Sequence, residues 1–334
     1  RYLKAGVTTV QNGLARPKHA KGMRMASRVG LLPQRVIIWP EDELSDLILA
    51  GEIVPSEWES DWLSIGASKL VADGSIQGYT GFLREPYHVQ PDSHAHSHGE
   101  TEDEKPSAYR GSPTLSPEKL FARVKQLHAA KRPLAIHANG DAAIDLVQDA
   151  WAEALKASPP GDYRPILIHA QMMQSDQIAR ALQLGMTVSY FPAHIYYWGD
   201  RHHSIFMGPD RAQTISPLGS SVKAGLRFTT HLDTPIVPID LMLLIATSVN
   251  RTTSSGDVLG PEEKISVDQA LRAITIDAAW QVFQEDNRGS IEAGKFADFV
   301  VLSEDLHAIP PATLKTVKVE ETWIGGVKVY PRDD

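Results

Sequence analysis

Four side chains that can bind a metal ion or transfer a proton each follow a run of apolar residues. Lys69 lies in ASKLVADGS, His137 in IHANGD, His169 in ILIHAQ and Asp233 in TTHLDTP. Imidazole nitrogens and carboxylate oxygens are ligands of zinc and other first-row divalent ions. The two histidines would be neighbours on adjacent parallel strands, where their imidazoles could share one ion. The pattern therefore predicts a metal centre whose shell Lys69 and Asp233 complete.

Each of these residues also has an ordinary structural explanation. A single histidine at a strand end is commonly a hydrogen-bonded core residue. A lysine commonly extends its amine to solvent, and an aspartate before Thr-Pro commonly forms a turn. The order Lys, His, His, Asp, with each residue at a strand end, is what favours chemistry over these explanations.

Strand-like apolar runs alternate with helical patterns along most of the chain. The runs are 7–10, 35–39, 62–72, 134–138, 166–171, 187–191 and 227–232. Strand followed by helix, repeated, indicates a parallel sheet covered by helices. Seven strands fit an α/β fold of the TIM-like (β/α)8 barrel type that lacks its first strand, and an open doubly wound sheet is the competing architecture. The barrel is favoured because polar residues stand at the ends of several strands.

The division of the chain follows from where this alternation breaks. Residues 1–285 are predicted to form the barrel, strands 2 to 8, with a long loop excursion at 75–113 over its mouth. Residues 286–334 are predicted to form a small C-terminal β-sandwich segment. Two local signals are specific: Asn12-Gly13 predicts a turn after the first strand, and Ser266 with Gln269 predicts a capping box at a helix start.

Composition excludes several classes of function. The 334 residues carry 33 basic and 41 acidic side chains, a formal net charge of −8, which disfavours a nucleic-acid partner. No run of about 18 apolar residues predicts a membrane span. The chain has no cysteine, which excludes disulfides, thiol nucleophiles and Cys-type zinc sites. We expect a cytoplasmic location and leave homo-oligomerisation open.

Seven segments of the chain match, in order, those of a known enzyme superfamily. They are GVTTVQ, KLVADGSIQGYTGFLREPY, IHANGDAAID, ILIHAQ, GPDRA, HLDTPIVP and GSIEAGKFADFVVL. Together they resemble the amidohydrolase superfamily, in particular its YtcJ-like branch (amidohydrolase family 3), which includes N-substituted formamide deformylases. The resemblance implies a TIM-like barrel with a β-sandwich, a divalent metal, and hydrolysis of an amide or related C–N bond.

The resemblance also implies a role for each of the four residues. Lys69 would be a bridging, N-carboxylated lysine, and His137 and His169 would hold the second metal ion with it. The centre would hold one or two divalent ions, expected to be zinc. Asp233 would bind the first ion and shuttle a proton while a metal-bound hydroxide attacks an N-acyl or N-formyl amine, the expected small-molecule amide substrate. Carbamate formation needs a neutral amine, so burial must lower the pKa of Lys69.

Further polar and aromatic residues near the strand ends are candidates for contact with substrate. Aromatic side chains after the strand from Thr187 could bind an apolar substituent or simply pack. An arginine in GPDRA could orient a carboxylate or brace a loop. A histidine two positions before Asp233 points to the same side by strand period. The predicted substrate-binding residues are His194, Tyr197, Trp198, Arg211 and His231.

Other polar residues receive structural interpretations. Asn139 and Asp141, just past the first histidine, are predicted to fix their loop rather than to touch substrate. His202 and His203 are predicted to be exposed.

One part of the family pattern is not found. The family has a His-x-His pair at the end of its first barrel strand, and no such strand precedes Val7. The tract SHAHSHG holds His94, His96 and His98, but it lies in a polar loop after Lys69, so we do not assign it this role. We expect the missing N-terminal segment to be present in the active protein. Two alternatives to hydrolysis of an N-acyl or N-formyl amine stay open. The protein could be a deaminase or cyclic-amide hydrolase with the same metal centre, or a catalytically inactive relative that binds ligand.

Overall fold

The predicted alternation of strand and helix is present in the computed structural model, which describes residues 1–91 and 108–331. The parallel strands are β1 Thr9–Ala15, β2 Arg35–Pro40, β3 Leu63–Ile65, β4 Ser68–Val71, β5 Leu134–Ala138, β6 Ile166–His169, β7 Thr187–Tyr190 and β8 Phe228–Thr230. The α-helices are α1 Pro17–Arg28, α2 Asp42–Leu49, α3 Pro117–Ala129, α4 Asp141–Leu155, α5 Ser175–Gln183, α6 Ala193–Arg201, α7 Gly208–Arg211, α8 Leu218–Ala224, α9 Leu241–Asn250, α10 Val267–Ile274 and α11 Ile276–Gln281. In these ranges no helix combines the length and apolar character needed to cross a bilayer.

The strands follow one another in the sheets in the same order as in the chain. One parallel sheet has the order β1-β2-β3 and the other β4-β5-β6-β7-β8. A doubly wound sheet would reverse its order at a switch point, whereas a barrel does not. Side chains of β2, β5 and β6 also meet Ala67, between β3 and β4, in one apolar cluster: Ile37, Trp39, Ala67, Ala135, Ile166 and Ile168. The TIM-like barrel is confirmed, and this cluster marks its interior.

The run predicted as one strand, 62–72, is two strands, and that prediction is wrong. The Gly66 N–H donates to the Ile38 carbonyl in β2 at 2.8 Å, whereas the Ser68 N–H donates to the Pro133 carbonyl beside β5, also at 2.8 Å. The chain therefore changes partner within two residues and joins the two sheets. A Cβ at Gly66 would lie 2.8 Å from Cγ2 of Ile37, so only glycine fits where the backbone approaches β2.

The predicted turn at Asn12-Gly13 is also wrong. Both residues lie inside β1, which runs to Ala15. The register of β1 against β2 shifts between Asn12 and Ala15. The Asn-Gly pair thus forms an irregularity within a paired strand, a common use of glycine in sheets.

A small antiparallel sheet follows the barrel. Its strands are β9 Phe299–Leu302, β10 Val319–Ile324 and β11 Val327–Tyr330, in the order β11-β10-β9. A buried ion pair ties it to the barrel, because Nε of Arg35 in β2 lies 2.7 Å from the carboxylate of Asp298. Such a bidentate, hydrogen-bonded pair fixes geometry. The division of the chain at residue 285 stays a prediction.

The described parts of the excursion, residues 75–91 and 108–113, cover the carboxyl ends of the central strands. Ile76, Leu83 and Tyr87 form one buried cluster with Met172, after β6, and Ile195 in α6. This packing fixes one wall of the barrel mouth. The histidine tract at His94, His96 and His98 lies outside the described residues.

Candidate metal centre

Strand alternation places Lys69 and His137 on the inside of the barrel. Lys69 is in register with Ala135, which belongs to the interior cluster, and His137 is two residues farther along β5. Residues two apart on a strand share a face. Both side chains therefore point inward at the carboxyl end of the barrel, where barrel active sites lie.

His169 reaches the same place by a different route. It is in register with Ala138, whose side chain packs outward against the helices, so alternation alone would turn His169 away from the interior. Its φ of +70° is left-handed, a conformation uncommon for a residue with a side chain. The imidazole turns inward as a result, and its centroid lies 4.5 Å from that of His137.

Hydrogen bonds decide which nitrogens of the two histidines remain for a ligand. Nε2 of His137 lies 3.0 Å from the carbonyl oxygen of Gly74, and Nδ1 of His169 lies 3.1 Å from Nε2 of His231. A carbonyl can only accept, and the Asp73 carboxylate 3.4 Å from the same nitrogen is also an acceptor, so neutral His137 is assigned its hydrogen on Nε2. The Asn139 amide, 3.1 Å from Nε2, then donates to the Gly74 carbonyl rather than to the ring. Nδ1 of His137 and Nε2 of His169 are the nitrogens left for a cation.

This donor set fits a divalent metal ion. Two neighbouring imidazoles with free nitrogens and one carboxylate are the chemistry that zinc prefers. The centre is not a closed cage by itself, because within the described ranges no three His, Asp or Glu side chains already form a cation site. A complete shell would need further ligands, and Lys69, which points inward from β4, is one candidate.

The amine of Lys69 has the lowered pKa that its expected N-carboxylation requires. Burial lowers the pKa of Lys69 from 10.5 to about 7, while the negative charge of Asp233 opposes the shift. A large fraction of the amine is therefore neutral near pH 7 to 8, as N-carboxylation requires. Asp233 is exposed just beyond β8, with a left-handed φ of +53°.

Asp73 is a site residue that the sequence reasoning missed. Its fully buried carboxylate accepts hydrogen bonds from the backbone N–H groups of Phe82, Asn139 and Gly140 at 2.8 to 2.9 Å. It also lies 3.4 Å from Nε2 of His137. Asp-Gly normally signals a turn, but Asp73 is two and four residues past Val71 and Lys69, so strand alternation already indicated an inward side chain.

The loop residues next to His137 make backbone hydrogen bonds. Nδ2 of Asn139 donates to the Gly74 carbonyl at 2.8 Å. Oδ1 of Asp141 accepts from the Arg84 N–H at 2.7 Å. These bonds hold the excursion against the start of α4.

The aromatic candidates line the side of the centre that faces α6. His194 is buried, and its ring centroid lies 4.4 Å from that of Phe191 and 4.9 Å from that of Trp198. Burial holds the pKa of His194 well below its usual value, so the ring is neutral. Tyr197 and Trp198 are half-buried against the cluster that contains Phe191. Contact of these residues with substrate stays a prediction.

Arg211 and His231 both make contacts with protein groups. The Arg211 guanidinium donates to three backbone carbonyls, those of Met207, Glu85 and Pro86, at 2.6 to 3.2 Å. It thus braces the excursion, one of the two roles considered for it. His231 contacts His169 directly. Their roles toward substrate stay predictions.

The prediction that His202 is exposed is wrong. Its ring is fully buried, and Nε2 lies 3.0 Å from Nε2 of Gln171, just past β6. His203 is exposed as predicted. Adjacent residues on a helical turn point in different directions, so one of two neighbouring histidines faces the protein.

Sequence comparison settles the family. A profile described as the amidohydrolase family matches residues 1–330. The chain belongs to this family. It is 30% identical over 279 residues to the putative amidohydrolase YtcJ of Bacillus subtilis (strain 168), a match that covers 81% of this chain and 48% of the relative. It is 32% identical over 200 residues to the N-substituted formamide deformylase of Arthrobacter pascens, a match that covers 60% of this chain and 36% of the relative. The chain thus spans about half the length of these relatives or less.

Solved structures of this amidohydrolase fold are also similar. A metal-dependent hydrolase from Pyrococcus horikoshii superposes with a TM-score of 0.76 at 22% identity, covering 93% of this chain and 59% of that one. An adenosine deaminase from Xanthomonas campestris, solved with bound zinc, gives a TM-score of 0.60 at 16% identity, covering 98% and 66%. At these identities the likeness concerns the fold.

Replacing Asp73 with asparagine should destabilise the protein. An amide offers one acceptor oxygen where the carboxylate offers two, and it sets an NH2 group against backbone N–H donors. We expect the free energy of unfolding to fall by about 2 kcal/mol, measured by urea denaturation. Asp286→Asn, at an exposed position, is the matched control and should change it by less than about 0.5 kcal/mol. An Asp73→Asn protein as stable as the control would contradict this role.

Replacing Lys69 with methionine should change how stability depends on pH. The pKa of Lys69 is about 7 in the folded state against 10.5 when unperturbed, so between these values the unfolded chain binds more protons. Stability of the metal-free protein should then rise from pH 7 toward pH 10 because of Lys69. Lys69→Met should be more stable at pH 7 and lose that part of the rise. Urea unfolding at pH 7 and 9 measures the change in the free energy of unfolding between these pH values. Lys125→Met, at an exposed lysine of α3, is the control. The same change in wild type, Lys69→Met and Lys125→Met would contradict the expectation.

Proposed function

We propose that this amidohydrolase-family chain is part of a metal-dependent hydrolase that cleaves an amide-type C–N bond in an N-acyl or N-formyl amine. The observation that carries the proposal is the convergence of His137 and His169, with ring centroids 4.5 Å apart, beside a lysine whose pKa burial lowers to about 7. A structural core seldom concentrates such groups at a barrel mouth, whereas perturbed titratable groups cluster at functional sites.

The residues that would hold the ion are Nδ1 of His137, Nε2 of His169, the carboxylated amine of Lys69 and the Asp233 carboxylate. When bound, a divalent cation supplies Lewis acidity toward a carbonyl oxygen and lowers the pKa of water. The protein orients the two imidazoles through the hydrogen bonds at their other nitrogens, and such partners set both ring orientation and basicity.

In the proposed reaction, Asp233 would move the proton. In hydrolysis of an amide, a water O–H proton must leave as the new C–O bond forms, and the amine nitrogen must gain a proton as the C–N bond breaks. The Asp233 carboxylate would accept the first and deliver it to the nitrogen. Its location beyond β8, on an exposed turn, leaves it accessible from the barrel mouth. Phe191 and Trp198 would limit water around the reacting groups.

The substrate class is supported by the names of the relatives. The Arthrobacter pascens relative is called an N-substituted formamide deformylase, and the Bacillus subtilis relative a putative amidohydrolase. An N-formyl or N-acyl amine has the carbonyl carbon and amine leaving group that this centre would serve. The aromatic side of the site suits an apolar substituent on nitrogen.

Replacing His137 with asparagine should remove metal and turnover together. Wild-type protein should hold one to two equivalents of zinc and hydrolyse members of a panel of N-formyl and N-acyl amines. His137→Asn should bind zinc at least about 100-fold more weakly and lose activity in parallel. His203→Asn, at the exposed histidine, is the matched control and should retain both. Metal analysis and product assays on the same samples provide the measurement.

The outcomes separate the alternatives. Wild-type protein that binds no divalent metal would overturn the proposed function. Stoichiometric metal without turnover of the panel would favour the inactive, ligand-binding relative. Ammonia release from amino-substituted heterocycles instead of amide cleavage would favour a deaminase.

A further inference from the structure

Three side chains from successive strands form a hydrogen-bonded chain behind the candidate metal centre. Nε2 of His231 lies 3.1 Å from Nδ1 of His169, and Nδ1 of His231 lies 2.9 Å from Oγ of Ser189 in β7. Phe191 stacks on the His231 ring at a centroid distance of 5.3 Å. Both nitrogens of His231 are thus engaged by protein groups, and the ring is held on its face as well.

Strand register explains why these groups meet. Ser189 is in register with Ile168, an interior residue of β6, and with Thr229 of β8. His231 is two residues past Thr229 and therefore on the same inner face. The left-handed turn at His169 brings its ring to this face as well.

The hydrogen positions on His169, His231 and Ser189 are coupled. A hydroxyl can donate or accept, so the bonds alone permit two directions. If Nε2 of His169 is to offer a lone pair to a cation, the ring hydrogen must be on Nδ1 and be donated to Nε2 of His231. His231 must then carry its own hydrogen on Nδ1 and donate it to Ser189. Only one direction is compatible with metal binding.

The two rings share a single hydrogen bond. A neutral imidazole has one donor and one acceptor nitrogen. Nδ1 of His169 and Nε2 of His231 face each other at 3.1 Å, so one of them carries the hydrogen and the other accepts it. The direction of one bond therefore fixes the direction of the other.

We propose that His231 and Ser189 are positioning residues that hold His169 as the Nδ1–H tautomer and so aim its Nε2 lone pair at a divalent cation. The proposal rests on the proposed function, which supplies the cation. It assigns His231 to the support of a ligand rather than to contact with substrate. Partners of this kind typically change metal affinity by about 10 to 100-fold.

The tautomers of His169 and His231 can be determined in the metal-free protein without an activity assay. Long-range ¹H–¹⁵N NMR of histidine-labelled, metal-free protein distinguishes a protonated from an unprotonated ring nitrogen. We expect His169 and His231 each to carry hydrogen on Nδ1 and none on Nε2. Hydrogen on Nε2 of His169 would overturn the proposal. This spectrum does not depend on catalysis. The tautomer assignment can therefore be contradicted while the proposed hydrolase activity is confirmed, and the hydrolase activity can be contradicted while the tautomer assignment is confirmed.

Variants test the consequence for metal binding. The readouts are the zinc dissociation constant, from chelator competition, and the visible absorption spectrum of the cobalt-substituted protein. His231→Phe should weaken zinc binding about 10 to 100-fold and alter the cobalt spectrum. Ser189→Ala should weaken it about fivefold, as expected for one lost hydrogen bond.

A conservative variant and a matched control separate positioning from general damage. His231→Gln retains an amide oxygen that can accept from Nδ1 of His169 and should recover part of the affinity. Ser248→Ala removes another buried hydroxyl, bonded to the Leu244 carbonyl at 2.8 Å in α9, and should leave affinity and spectrum unchanged. If His231→Phe does not fold, His231→Gln and Ser189→Ala decide. Wild-type affinity and an unchanged cobalt spectrum in Ser189→Ala and in every folded His231 variant would overturn the proposal.

Discussion

The inward turn of His169 is the feature on which the candidate centre depends. Its strand neighbour Ala138 packs outward, so a regular backbone would bury the imidazole under the helices, away from His137. The left-handed φ of +70° reverses that direction at a conformational cost of order 1 to 3 kcal/mol. Asp233 also has a left-handed φ. Strain of this kind persists where surrounding contacts enforce it, and two of the residues assigned to chemistry carry it.

The excursion over the mouth is tied to the centre through Asp73. Its carboxylate binds the backbone of both Phe82, in the excursion, and Asn139, just past β5. Arg84 extends the connection, because its guanidinium lies 2.6 Å from Asp145 in α4 and 2.8 Å from Asp176 in α5. Loop, strand end and helix start therefore form one unit, and the position of His137 is coupled to the packing of the loop.

The sequence predicted those features that depend on local patterns. The strand Leu134–Ala138 was predicted with the bounds it has. The capping box is present, with Ser266 and Gln269 exchanging hydrogen bonds of 3.2 and 2.8 Å at the start of α10. The order of polar residues at strand ends also indicated which side chains to compare, because parallel strands present their carboxyl ends at one edge.

The features that escaped prediction depend on partners distant in the chain. A change of strand partner at Gly66 and an irregularity at Asn12-Gly13 are fixed by how β2 lies beside them. The burial of His202 depends on Gln171, 31 residues away. The backbone turn at His169 leaves no trace in hydrophobic periodicity, because the period describes regular strands only.

Anomalous diffraction from zinc-loaded crystals would locate a cation bound between His137 and His169. We expect a zinc peak between the two imidazoles, about 2.0 to 2.1 Å from Nδ1 of His137 and from Nε2 of His169. A peak only at His94, His96 and His98, or zinc bound through the opposite ring nitrogens, would contradict it.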